Sequence, residues 1–327
     1  MRSARLHAAG DLRIHDEEQP PASEGRSLVR VGAVGLCGSD LHWFLEGGIG
    51  DARIVEPPIP GHEIGGIAID GPYAGQVVAV DPAIPCFDCE RCHEGWTNLC
   101  SNIEFAGHST TDGGMAEVIS WPTERLVPMP EGLDAEDAAM LEPLGVAVHA
   151  WDLGHAKLGD RIAIVGAGPI GLLLVQLAKH SLASKVAVVE PLAHRRAAAE
   201  AMGADVVLGT ELELLTGYDV VFEVCGNPDP VEAAMALARA GGRVVLIGIP
   251  DEDVTTFPAA LARRKGLTIP IVRRMPEVYE RAVQLAAQGV VDLKSVVSHR
   301  FALDDAQAGF TFATRREGLK VLIKPND

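Results

Sequence analysis

Residues 161–180 read RIAIVGAGPIGLLLVQLAKH. RIAIVG is apolar and largely β-branched, the pattern of a strand buried on both faces. The chain then turns through Gly166-Ala167-Gly168-Pro169-Ile170-Gly171 into text with helical spacing. Gly166 permits the tight turn, Gly168 lets the backbone approach a pyrophosphate, and Gly171 lets helix and strand pack closely. The helix start adds free N–H groups and the positive end of a dipole. The next apolar run, KVAVVE, ends at Glu190, 19 residues past Gly171. A carboxylate there can accept hydrogen bonds from both ribose hydroxyls and repels a 2′-phosphate, so the expected cofactor is NAD rather than NADP. Arg195 and Arg196 follow closely, with Arg195 a candidate to stack on adenine. Gly166, Gly168, Pro169, Ile170, Gly171, Glu190, Arg195 and the strand-end Cys225 are the expected cofactor contacts.

Six such runs lie between residues 161 and 272: RIAIVG, KVAVVE, DVVL, YDVVFEV, GRVVLIG and LTIPIV. Most are separated by helix-like text. Strands alternating with helices predict a doubly wound parallel sheet. Upstream, DAEDAAMLEPLGVAVHAWDLG has helical spacing, with Asp134 as N-cap and Glu136 and Asp137 in the first turn. The first ~140 residues are rich in Gly and Pro with short β-like runs, an irregular, mostly β pattern. The tail returns to β character with VVSHRF and LKVLIKP. The Rossmann unit is therefore expected at 144–283, inserted into an outer domain made of 1–143 plus 284–327.

A net charge of −17 over 327 residues argues against nucleic acid or an anionic membrane as partner. No apolar run reaches the roughly 20 residues of a membrane span, and the N-terminal text MRSARLHAAGDLRIHDEE has no apolar core of a secretion signal. The expected setting is the cytoplasm. There, four cysteines within fifteen residues, Cys86, Cys89, Cys92 and Cys100, point to a metal rather than to disulfides. Four thiolates close a tetrahedral zinc site with no open position, which makes it structural.

Three more pieces complete the pattern: GLCGSDLH (35–42), GHEIGG (61–66) and LEPL (141–144). With the four-cysteine loop and GAGPIG, their order and approximate spacing resemble the zinc-containing medium-chain dehydrogenases/reductases over essentially the whole chain. The resemblance implies a GroES-like catalytic domain around the Rossmann domain. Cys37 and His62 match the first two catalytic zinc ligands. In the polyol and sugar dehydrogenase branch the Glu after His is a ligand and a second Glu, in an EPL segment, binds the zinc or its water; Glu63 and Glu142 match these. Two zinc ions per chain follow, one catalytic and one structural. Asp40 would orient His62, while Ser39 and His42 match a proton relay. In such enzymes the substrate hydroxyl binds at the metal, its pKa falls, Ser39 with His42 or Glu142 takes the proton away, and hydride passes to the nicotinamide.

The stretch CGSDLHWFLEGGIGDARIVEPPIPGHE is similar to sorbitol, xylitol and idonate dehydrogenases, so a polyol or sugar alcohol is the expected substrate. Trp43, Phe44 and Trp121 either shape its pocket or belong to the core. Gly75-Gln76-Val77-Val78 departs from the usual vGDrV pattern, and the segments from Gly66 to Cys86 and after Cys100 are shorter than usual, which bears on the rim of the substrate site. Rival readings are a threonine- or butanediol-type dehydrogenase on the same scaffold and, from another class, an inactive NAD-binding or structural protein. The family also implies a homodimer or homotetramer, through an edge such as LTIPIV.

Overall fold

The computed structural model describes residues 1–108, 110–210, 216–251 and 254–327. The chain divides into two compact units: residues 1–143 with 276–287 and 293–327, and residues 144–275 with 288–292.

The first unit is built on a seven-stranded sheet. Its strands run in the order Leu126–Pro128, Val77–Val80, Glu63–Ala68, Arg26–Gly35, Lys320–Lys324 and Val297–Ala302, with Val118–Pro122 also paired to Arg26–Gly35. Pairing is antiparallel except between the last two strands of that order. Val29, Val31, Val34, Ile64, Val78 and Val80 point into one core with Trp43, Phe44, Met115 and Phe310. The C-terminal strand Lys320–Lys324 thus lies beside Arg26–Gly35, Leu322 opposite Gly35.

A short helix, Ala135–Ala139, packs against this sheet. Asp134 caps it as expected, its Oδ1 accepting from the N–H groups of Glu136 and Asp137. The helical text does not run on unbroken. Met140 ends this helix, and a second one, Leu141–Gly154, begins. Pro143 is the reason: it has no N–H to donate, so it is tolerated only within the first turn of a fresh helix.

The second unit holds a parallel sheet in the order Val206–Leu208, Lys185–Val189, Arg161–Val165, Tyr218–Glu223 and Ala238–Leu246. Helices such as Pro169–His180 and Pro228–Leu237 connect the strands. This is the order 3-2-1-4-5 of the Rossmann fold. Ile162, Ala163 and Ile164 are fully buried, which is why the central strand reads as a continuous apolar run. The sixth expected strand, LTIPIV, forms only isolated parallel bridges, Arg243 to Thr268 and Leu246 to Ile271. Pro270 lies between them and cannot donate to a ladder, although its carbonyl accepts from Leu246 N–H at 2.9 Å.

Candidate metal and dinucleotide sites

Cys37 follows the strand Arg26–Gly35 and precedes the helix Gly38–Glu46; His62 directly precedes the neighbouring strand, which Glu63 opens. Gly35 pairs with Glu63 across the sheet, so antiparallel register brings the two motifs together. One donor atom each from Cys37, His62 and Glu63 lies within 4.8 Å of the others. The room for this is made by glycine: a Cβ at Gly35 would stand 1.8 Å from Glu63 Oε2. Asp40 Oδ2 accepts from the Cys37 N–H at 2.9 Å, and its Oδ1 lies 3.4 Å from His62 Nδ1. Burial pushes the His62 pKa down, but Asp40 and Cys37 outweigh it and hold it well above the ordinary histidine value. A thiol, an imidazole and a carboxylate converging in a buried pocket form a donor set that suits Zn²⁺.

Glu142 is also buried but stands outside this three-donor group. Burial pushes its pKa up to about 7; His62 and Lys320 pull it down, while Glu63 and Asp40 push it up. It therefore sits in the electrostatic field of the cluster. Ser39 and His42 lie three residues apart on the helix Gly38–Glu46, both half-buried. The His42 Nδ1 lies 3.0 Å from Glu46 Oε1, a partner the sequence reading did not name. Trp43, Phe44 and Trp121 are core side chains.

A second residue escaped the sequence reading. Lys320 is 2% exposed, and its Nζ donates to Glu63 Oε1 at 2.6 Å, Glu63 Oε2 at 2.7 Å and the Leu36 carbonyl at 3.0 Å. Burial works to lower its pKa, but Glu63, Cys37 and Glu142 prevail and raise it above the ordinary lysine value.

The four-cysteine loop brings Cys86, Cys89, Cys92 and Cys100 together, with all four sulfurs within 4.8 Å of one another. Main-chain groups of Asp88 and of Cys92 lower the thiol pKa values of Cys86 and Cys89 respectively. The N–H groups of Cys86 and Asn102 donate to the Cys100 sulfur. Burial, with Cys89 and Cys100 beside it, pushes the Cys92 thiol the other way, up to about 12; it is the convergence of four sulfurs from one loop that suits a closed zinc site. Arg125 ties this loop to the unit's core. It pairs with Asp81 and Glu277 and faces the Phe87 ring at 5.7 Å, and Thr97 Oγ1 donates to Glu277.

In the second unit, Gly166 has φ +102°, and a Cβ there would meet Cys225 Sγ at 2.6 Å. A Cβ at Gly171 would stand 2.0 Å from the Gly166 carbonyl. Gly168 is the N-cap of the helix that Pro169, Ile170 and Gly171 open. Its missing side chain faces open space up to Arg195 Nη1 at 3.8 Å. Glu190 is buried at the end of the next strand; it accepts from Ala167 N–H at 2.8 Å and Leu192 N–H at 2.9 Å. Arg196 donates to the Glu190 and Pro191 carbonyls. Glu223, unremarked in the sequence, caps the turn at Cys225 and Gly226, whose N–H groups donate to its Oε1 at 2.6 and 2.8 Å.

The family description "Zinc-binding dehydrogenase" matches residues 169–288, and "Alcohol dehydrogenase GroES-like domain" matches residues 23–131. The sorbitol dehydrogenase of Bacillus subtilis is 32% identical, the match covering 100% of this chain and 98% of that protein. Among solved structures, the L-idonate 5-dehydrogenase of Escherichia coli superposes with a TM-score of 0.92 at 28% identity, covering 99% of this chain and 98% of that one. A zinc-binding dehydrogenase from Sinorhizobium meliloti, bound to NADP, gives 0.91 at 30% identity and 99% of each chain. Among the described residues, no helix is long and apolar enough to cross a membrane.

Proposed function

The chain belongs to the zinc-dependent medium-chain dehydrogenases, oxidoreductases that act on CH–OH donors with a nicotinamide cofactor, and from that premise we propose that it oxidises a polyol or sugar alcohol with NAD. The observation that carries this reading is the convergence of Cys37, His62 and Glu63 in one buried pocket, the donor set that Glu63 shifts away from a two-cysteine site. Cys37, His62 and Glu63 would hold the catalytic zinc, and Cys86, Cys89, Cys92 and Cys100 the structural one. When bound, zinc supplies Lewis-acid polarisation of the substrate hydroxyl, and the nicotinamide supplies the hydride acceptor.

The chain's own residues do the rest. Asp40 fixes the His62 ring, keeping Nδ1 protonated and the other nitrogen free to ligate. Ser39 accepts the hydroxyl proton and passes it towards His42, whose partner Glu46 leads to solvent. Glu142, buried beside the three donors' electrostatic field, would act on the metal or on its water and adds to an acidic site that suits a polyhydroxylated substrate. Gly166, Gly168 and the helix from Pro169 receive the pyrophosphate, with Arg195 alongside. Glu190, already held by two N–H groups, presents a fixed negative charge that disfavours a 2′-phosphate. The parallel-sheet unit, residues 144–275 with 288–292, is the NAD-binding domain, so the expected boundary at 283 moves back to 275, and the mostly β unit is the catalytic one. Ile271, 73% exposed at the sheet edge, supports pairing with a second copy.

The test follows reduced-cofactor formation over polyols, sugars, L-threonine, 2,3-butanediol and simple alcohols, with NAD and NADP in parallel. Turnover of a sugar alcohol with NAD is expected. Turnover confined to threonine or a diol would overturn the substrate class, and faster reaction with NADP would overturn the role of Glu190. Silence of zinc-replete protein would favour a binding role.

A further inference from the structure

Lys320 stands where a zinc site has least use for it. All three ammonium protons have acceptors, two of them the two oxygens of Glu63 and the third the Leu36 carbonyl. Both side chains are buried, at 3% and 1% exposure. Burying a lysine carries a large desolvation cost that only good geometry offsets, and here the cation also faces a site meant for a dication. The arithmetic of charge is informative. A Cys37 thiolate and a Glu63 carboxylate together balance a divalent ion, with His62 neutral. Lys320 adds one further positive charge through the same carboxylate. The occupied site is then more positive than its three donors alone would make it.

We propose that Lys320 is a positioning residue that acts through Glu63, weakening the hold of the catalytic site on zinc and making that zinc a stronger electrophile towards the substrate oxygen. Without the metal, Lys320 is the counter-ion that keeps the Glu63 carboxylate folded inward; with it, Lys320 draws electron density from a donor oxygen of the metal. The outcome is a weaker metal site that better stabilises the negative charge developing on the substrate hydroxyl. This inference rests on the reading of Cys37, His62 and Glu63 as zinc ligands.

The experiment measures zinc per chain and the affinity of the catalytic site by competition with a chromogenic chelator, in the full-length protein. Wild type is expected to hold two zinc ions, the catalytic one being the first released. Lys320→Gln keeps a hydrogen-bond donor near Glu63 and removes the charge; Lys320→Met removes both. In either variant, catalytic-site zinc is expected to bind tighter by about tenfold or more, because removal of a unit positive charge from a poorly screened dication site favours the ion. Turnover at saturating zinc is expected to fall by about tenfold in both. Lys320→Arg keeps the charge and restores zinc affinity to within about threefold of wild type. Cobalt substituted for the catalytic zinc reports separately, by its visible spectrum, on whether Glu63 still ligates. A role confined to packing would weaken zinc binding or leave it unchanged in Lys320→Gln, and that result overturns the proposal; should Lys320→Met fail to fold, Lys320→Gln decides alone. Wild type holding a single zinc would overturn the reading of the site itself.

Discussion

A single methyl group decides whether Glu63 can reach its place. A Cβ on residue 35 would stand 1.8 Å from Glu63 Oε2 and about as close as 3.0 Å to the carboxyl carbon. Gly35→Ala is therefore expected to expel the carboxylate and lower turnover by roughly 10–100-fold, the usual cost of disturbing a metal ligand's surroundings. On the proposed two-site reading, zinc content should drop from two to one per chain, because the four-cysteine loop lies on separate elements; atomic absorption and steady-state rates check this. At this scale the sequence was legible where chemistry is local. GLCGSDLH and GHEIGG carry Cys37, His62 and Glu63 in recognisable text, and GAGPIG announces its glycines. It was silent on Lys320, which reads in GLKVLIKP as an ordinary strand cation. Only the sheet brings it to Glu63, 257 residues away in the chain. Glu142 shows the same limit from the other side, since its motif is legible but its distance from the three donors is not.

The helix Ala135–Ala139 is where one element transmits force to another. At Gly65, on the strand that begins with Glu63, a Cβ would meet the Ala135 carbonyl at 2.0 Å and the Ala139 nitrogen at 2.6 Å. The helix thus rests directly on backbone, and Glu142 begins the helix that follows. Gly65→Ala is expected to destabilise by about 1–3 kcal/mol through overpacking. Thermal denaturation should show a melting point lower by several degrees, with activity reduced at temperatures where the fold persists. The Asp134 cap was legible because a cap involves neighbours in sequence. The close approach of Gly65 was not, because its partner lies about seventy residues on. The LTIPIV segment does lie along the sheet edge, bonded in parallel to Gly242, Val244 and Leu246, but its pairing is broken into isolated bridges because Pro270 cannot donate.

Across the whole molecule, acidic side chains are tied to arginines. Hydrogen bonding from Arg5 holds the Glu17 carboxyl below its ordinary value of 4.5, and Arg300 does the same for Glu136. The Arg2 main chain and then its side chain depress Glu117. A carboxylate whose folded pKa is depressed contributes stability that is present above its unfolded pKa and lost as pH falls through the folded one. Melting temperature is therefore expected to fall progressively below about pH 4.5, where these pairs lose their charge; scans between pH 4.5 and pH 3 check it, and a melting point that holds or rises over that range would contradict it. The division into a mostly β unit and a doubly wound one was legible from the alternation of strand and helix text, since layer architecture follows from apolar periodicity. Which residues return from the tail to complete the first unit depends on strand pairing, which periodicity does not encode.

That return sets an order of events in biosynthesis. Glu63 leaves the ribosome 257 residues before Lys320, an interval of roughly 13–50 s at 5–20 residues per second. Through that time the carboxylate has no ammonium to meet, so the buried ion pair can form only once the C-terminal strand has been made and has taken its place beside Arg26–Gly35.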